Sequence, residues 1–276
     1  MKEIILSDFV IGDGAPFVLI AGPCVIEDDD ITRGIAEYLK NLTTALNIPF
    51  IFKASYDKAN RSSLDSFRGP GLSQGLQILA KIKKDIGISV LSDVHRFEEI
   101  KPASEILDVL QVPAFLCRQT DFVLEVARNA KIINIKKGQF LAPWDVHNIL
   151  TKVLSTGNEN VMITERGATF GYNNLVVDLR SLPIMRGMGH PVVFDATHGV
   201  QLPGGAGAAS GGERDMVPFL SRAAIAVGID ALFLEVHFDP EAARCDGPNS
   251  LYLNSLPELL ETLVEIDRIV KRDLKN

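Results

Sequence analysis

Short runs of aliphatic and β-branched residues recur along the chain, each long enough for one strand and too short for a buried helix. They fall at residues 18–22, 49–55, 89–93, 109–114, 132–136, 161–166, 191–197 and 231–237. Between most of them apolar residues return every three or four positions, over 31–46, 75–86, 122–129, 143–154 and 217–227. A last amphipathic stretch covers 257–271. The first pattern predicts strands and the second helices. Strands that are apolar almost throughout belong to a parallel sheet covered on both faces. Eight β-α units in a chain of this length predict an α/β fold, a closed (β/α)8 TIM barrel. An open doubly wound sheet is the alternative, disfavoured because no glycine-rich dinucleotide turn follows the first strand. Residues 3–7 and 9–12 predict a short β-hairpin within an N-terminal extension, 1–14. The whole of 1–276 reads as a single barrel domain.

A barrel of this kind carries its active site at the C-terminal strand ends. Those ends bring up Cys24, Lys53, Asp93, then Gln111 with Pro113 and Ala114, then Lys136 and Lys137, Glu165 and Arg166, Asp195 and His198, Glu235 and His237. Charged groups at the ends of apolar strands are costly to bury unless paired or bound to a ligand. Their convergence on one rim therefore points to a site. Net charge is −7 and pI about 5.3, which disfavours nucleic acid and anionic membranes as partners. Lys53, Lys58, Lys136 and Arg166 are thus a local cationic cluster set against the global sign. In the loop 53–63, Arg61 and Ser62 combine a guanidinium fork with a hydroxyl, the chemistry of a phosphate grip. Two small phosphorylated or carboxylated substrates fit this picture.

Cys24, His198 and Glu235 offer soft, borderline and hard donors from three strands. With Asp246 they suit a divalent transition metal such as Zn, Fe or Mn. Three cysteines are too few and too scattered for a disulfide framework, so a reducing cytoplasm is expected. Cys117 and Cys245 read as ordinary buried cysteines. No signal peptide and no membrane span is expected. The glycine-rich stretch 203–212 lacks the closing Gly-Lys-Ser/Thr of a P-loop and reads as a mobile flap over the rim.

Longer motifs then stand out: 21–24 (AGPC), 53–63, 67–71 (FRGPG), 111–121 (QVPAFLCRQTD), 134–144 (NIKKGQFLAPW), 164–167 (TERG), 170–175 (FGYNNL), 195–198 (DATH) and 245–248 (CDGP). With these the chain resembles the 3-deoxy-D-manno-octulosonate 8-phosphate synthases over nearly its whole length. The related 3-deoxy-7-phosphoheptulonate synthases share the barrel, but typically carry Lys-Pro-Arg-Thr where this chain has Lys-Ala-Asn-Arg-Ser-Ser.

The resemblance implies a cytoplasmic homotetramer that condenses phosphoenolpyruvate with D-arabinose 5-phosphate and water, a step of Kdo and lipopolysaccharide biosynthesis. It implies that Lys58, Lys136 and Arg166 hold phosphoenolpyruvate, with Lys53, Gln111, Pro113 and Ala114 nearby. Asn60, Arg61 and Ser62 would hold the sugar phosphate, with Gln201 also on the substrate side. Arg118 would reach the sugar phosphate of a neighbouring subunit. Cys24, His198, Glu235 and Asp246 would bind the metal, and Cys24 marks the metal-dependent branch, since metal-independent members carry asparagine there. His198, Asp246, or a water held by Asn60 and Asp93 are the candidates for proton transfer. A Schiff-base sugar-phosphate aldolase or isomerase and a non-catalytic phosphate-binding scaffold are the rival readings.

Overall fold

The computed structural model describes residues 1–61, 63–204 and 211–274. Its centre is a closed ring of eight parallel strands: β3 (Val18–Gly22), β4 (Phe50–Lys53), β5 (Ser89–Asp93), β6 (Val109–Val112), β7 (Ile132–Lys136), β8 (Val161–Glu165), β11 (Val192–Asp195) and β14 (Ala231–His237). The ring closes because β14 pairs in parallel with both β3 and β11. Around it lie α1 (Asp29–Leu46), α2 (Leu72–Ile82), α3 (Phe97–Ile106), α4 (Thr120–Asn129), α5 (Val146–Leu154), α6 (Ser181–Arg186), α8 (Val217–Val227) and α9 (Leu256–Leu274). The predicted barrel is the observed one. No described helix is long and apolar enough to cross a membrane.

Strand alternation divides the core in two. Leu19, Phe52, Val90, Leu110, Ile133, Ile163, Phe194 and Leu232 face outward and pack against the helices. Val18, Ile20, Ile51, Leu91, Val109, Ile132, Met162, Val193, Ala231 and Phe233 face inward and fill the lumen. The predicted hairpin, β1 (Ile4–Leu6) with β2 (Phe9–Ile11), pairs antiparallel. Ile4, Leu6 and Ile11 join the lumen cluster, so the hairpin plugs the N-terminal end of the barrel and leaves the other end for chemistry.

Three departures from the sequence reading have local causes. The seventh strand was expected to run to Thr197 but stops at Asp195. There the Asp195 carboxylate accepts the His198 N–H and caps a helical turn, α7 (Ala196–Gly199). Helices α3 and α6 follow strands for which the pattern gave none. The first contains Pro102, and the second is only 6 residues long with Pro183 inside, so neither shows a clear helical period. Small paired segments decorate the rim: β9 (Ala168–Thr169) with β10 (Leu175–Val176), β12 (Gln201–Leu202) with β13 (Gly211–Gly212), and β15 (Leu251–Tyr252) beside β14. Of the expected flap over 203–212, residues 205–210 lie outside the described residues.

Candidate active site

Continuing the inward alternation by two residues brings the polar rim into the lumen. Lys53 follows Ile51, Asp93 follows Leu91, Gln111 follows Val109, and Asn134 and Lys136 follow Ile132. Thr164 follows Met162, Asp195 follows Val193, and Glu235 follows Phe233. All are buried, and the charged ones are paired. Lys53 Nζ lies 2.7 Å from Glu235 Oε1 and 2.8 Å from the Cys24 carbonyl oxygen. Lys136 donates to Asp195 Oδ2 and sits 3.5 Å from the centroid of the Phe233 ring. Asp195 Oδ2 is also 2.7 Å from His198 Nδ1. Burial works against the Asp195 carboxylate, yet His198 and Lys136 hold it well below the usual range. Burial likewise opposes the His198 imidazolium, and Asp195 and Glu235 outweigh it and raise its pKa.

After β8 the chain turns tightly. Glu165 Oε1 accepts the backbone N–H of Arg166 at 3.0 Å and of Gly167 at 2.7 Å, and Lys137 Nζ lies 3.4 Å from it. The turn aims Arg166 into the site. Its Nη2 donates to Gln201 Oε1 at 3.1 Å, while the buried Nη1 has no hydrogen-bond partner among the described residues. A buried cationic N–H without an acceptor is costly, and an anionic ligand would satisfy it.

The loop after β4 is clasped from below. Arg68 makes a two-pronged contact to Asp57, at 2.8 and 2.5 Å. The Lys58 N–H donates to the Arg68 carbonyl at 2.8 Å. Gly69 has φ +104°, and a Cβ there would meet the Tyr56 carbonyl oxygen at 2.7 Å, so the clasp needs glycine. Beneath it runs a buried chain. Ser55 donates to Asp93 Oδ1, His95 Nε2 is 3.0 Å from Asp93 Oδ2, and Tyr56 donates to Glu99 Oε2 at 2.9 Å. Burial opposes the His95 charge, but Asp93 and Glu99 hold its proton and lift its pKa to about 9. Burial also opposes the Asp93 carboxylate, which Lys58 and His95 hold well below the usual range.

The fourth side of the site is rich in metal-binding atoms. His198 Nε2 is 3.8 Å from both Glu235 Oε1 and Asp246 Oδ2. Cys24 Sγ is 3.1 Å from Asp246 Oδ2 and 2.7 Å from Cys245 Sγ. Burial pushes the Cys24 thiol well above its ordinary pKa, helped by Cys245 and Asp246. Glu235 Oε2 is buried without a hydrogen-bond partner among the described residues. Ligands at roughly 2.0–2.3 Å from a transition-metal ion stand about 3–4 Å from one another. His198, Glu235 and Asp246 are spaced for such an ion, and Cys24 with Cys245 forms a second donor cluster that shares Asp246.

These walls enclose a cavity of about 420 Å³. It is lined by Lys53, Lys58, Asn60, Arg61 and Asp93, by Gln111, Pro113 and Ala114, by Lys136, Arg166 and Gln201, and by His198, Glu235 and Asp246. Cys24 stands behind Asp246. Ser62 lies outside the described residues. Arg118 does not line this cavity. Its side chain lines a smaller one with Asp145, Asn148 and Lys152.

Cys245, read from the sequence as an ordinary buried cysteine, lines the cavity. It touches Cys24 and accepts a hydrogen bond from Arg61 Nη1 at 2.9 Å. Its position next to Asp246 was the available signal. Gln139 was also passed over. It lines the cavity and leaves Oε1 without a partner among the described residues.

The sequence pattern of the DAHP synthetase I family matches residues 2–272. A protein of Geobacter sulfurreducens named 2-dehydro-3-deoxyphosphooctonate aldolase is 60% identical over 270 residues, covering 98% of this chain and 99% of that one. Proteins of the same name from Pelobacter propionicus and Geotalea uraniireducens are 59% and 60% identical, each over 98% of this chain and 99% and 100% of their own.

Proposed function

We propose a function from the premise that this chain belongs to the DAHP synthetase I family: it is an enzyme that condenses phosphoenolpyruvate with D-arabinose 5-phosphate and water. The products are 3-deoxy-D-manno-octulosonate 8-phosphate and inorganic phosphate, a step toward Kdo and lipopolysaccharide. The relatives' name describes the same eight-carbon keto acid phosphate. The observation that carries the reading is the cavity itself. Lys58, Lys136, Arg166 and Arg61 converge there in a chain of net charge −7.

Two dianionic substrates repel each other, so the first task is to hold them together. Buried cations do this without reorganising during the reaction. Arg166, with its free Nη1, and Lys136 take the phosphate and carboxylate of phosphoenolpyruvate, beside Lys58 and Gln111. Asn60, Arg61 and Ser62 take the sugar phosphate and its chain. The third carbon of phosphoenolpyruvate attacks the aldehyde carbon of the open sugar. Positive charge develops at the second carbon, within the field of Asp93, Asp195 and Glu235, and water adds there. The hemiketal phosphate then releases inorganic phosphate by breaking its carbon–oxygen bond. Water held by Asn60 and Asp93 moves the protons, or His198 and Asp246 where no metal takes up their side chains.

Cys24, His198, Glu235 and Asp246 are the residues to hold a divalent metal. Such an ion supplies Lewis acidity and orientation for the aldehyde or water. The unpartnered Glu235 Oε2 and the 3.8 Å spacing about His198 support it. A cytoplasmic homotetramer is part of the same reading. Arg118 lies outside this chain's own cavity, as a residue serving a neighbour's site would. Phe115, Trp144, Phe170 and Tyr172 leave large apolar surfaces in water. Light scattering at four chain masses is the expected result for that part.

The test of the function is phosphate release. It is expected with both substrates together and not with either alone. Borohydride is expected to trap no sugar on Lys53 or Lys136. A trapped imine would point to a Schiff-base aldolase, and substrate binding without turnover would point to a scaffold.

A further inference from the structure

Asn134 and Thr164 are fully buried polar residues on the lumen face. Neither lines the cavity and neither has a part in the chemistry above. Burying an amide and a hydroxyl away from water is unfavourable unless both are hydrogen-bonded. They are bonded to each other and, in one direction, to the site. Thr164 Oγ1 donates to Asn134 Oδ1 at 2.7 Å. Asn134 Nδ2 donates to Gln111 Oε1 at 2.9 Å. The barrel register makes this possible, since Gln111 stands directly beside Asn134 on the neighbouring strand.

In this arrangement the donors and acceptors run one way along the chain. Gln111 lines the cavity. Its Oε1 is occupied by Asn134, so its Nε2, with two N–H donors, is the group left for a ligand. If the amide turned over, an acceptor oxygen would face the anionic substrate instead. An anionic occupant of the cavity favours the first arrangement, and the Thr164 hydroxyl, able to donate or to accept, completes it by giving Asn134 Oδ1 a donor. A turned Asn134 would point its oxygen at Gln111 and need a donor from there.

We propose that Thr164 and Asn134 are positioning residues, a buried relay that holds the Gln111 carboxamide with its N–H₂ toward phosphoenolpyruvate. The inference rests on the proposed condensation and goes beyond it by assigning residues outside the cavity. Without the Thr164 hydroxyl, either orientation of Asn134 leaves one of its polar groups unsatisfied. The orientation of Gln111 is then no longer set.

The test is a double-mutant cycle on steady-state phosphate release, with folding followed by circular dichroism. Thr164→Val keeps the shape and removes the hydroxyl. Its KM for phosphoenolpyruvate is expected to rise about tenfold, as for one lost hydrogen bond and a misplaced donor, with kcat within about twofold. Thr164→Ser keeps the hydroxyl and is expected to restore the KM. In a Gln111→Leu background, Thr164→Val is expected to change the KM by less than about twofold, because there is no amide left to orient. A merely structural role for Thr164 would raise the KM equally in both backgrounds, and that result overturns the relay. So does an unchanged KM in Thr164→Val alone. If valine is not accommodated, Thr164→Ala gives the same comparison without the bulk. An unmutated enzyme that releases no phosphate overturns the proposed function itself; an active one whose cycle shows no coupling overturns only the relay.

Discussion

Lys53 and Glu235 form an ion pair inside the barrel, with Nζ 2.7 Å from Oε1 and both side chains at most 1% exposed. They come from strands that flank β3 and meet over the lumen. Burial opposes the Glu235 carboxylate, and Lys53, followed by His198 and Lys58, holds its pKa down. Removing one partner of such a pair leaves a buried uncompensated charge. Lys53→Met is expected to cost roughly 3–5 kcal/mol of stability at neutral pH. Urea denaturation measures it, and the loss should shrink in acid as Glu235 takes up a proton.

His95 gives the fold a pH dependence of definite sign. Its pKa is about 9 in the folded chain, against an ordinary 6.5. The stabilisation is therefore complete below pH 6.5 and is lost as pH rises through 9. His95→Gln is expected to be less stable by roughly 3 kcal/mol near pH 6, with the gap closing toward pH 9.5. Denaturation midpoints of the two proteins across that range are the check.

The two ends of the cavity are expected to respond separately. Arg61→Ala should raise the KM for arabinose 5-phosphate at least about tenfold, with a small effect on that for phosphoenolpyruvate. Arg166→Ala should lower kcat/KM for phosphoenolpyruvate by a similar factor or more, since a charge-assisted contact is worth about 1.5–3 kcal/mol. Initial-rate kinetics with each substrate varied in turn distinguish the two.

Metal removal tests the donor cluster. Dialysis against a chelator is expected to abolish most phosphate release, and zinc, ferrous or manganous ion to restore it. Cys24→Asn should retain at least about tenfold less metal per chain after gel filtration, read by elemental analysis, because a thiolate ligand is lost. An unmutated chain that carries no metal and ignores the chelator would remove the metal from the account.

Much of the architecture was legible in the chain because the barrel strands are mostly apolar on both faces and most end in a polar residue. Lys53, Asp93, Gln111, Lys136 and Glu235 announce the rim by interrupting such runs. The end of the seventh strand was not legible, because Asp195 caps a helical turn through its side chain, which no periodicity encodes. Helix α3 was hidden by Pro102. Within the site, Cys245 was missed because its neighbours Cys24 and Arg61 are 221 and 184 residues away in sequence. The Asp93–His95–Glu99 chain escaped notice for a different reason. Its members are close in sequence, but only the fold shows that they face inward beneath the clasp of Arg68 on Asp57.

The most direct measurement is product analysis with two competing sugars. The enzyme is given phosphoenolpyruvate, D-arabinose 5-phosphate and a four-carbon aldose phosphate, and products are resolved by mass. The account predicts one inorganic phosphate per eight-carbon keto acid phosphate, with the seven-carbon product a minor species. A dominant seven-carbon product, or phosphate released from phosphoenolpyruvate with no carbon–carbon bond formed, would contradict it.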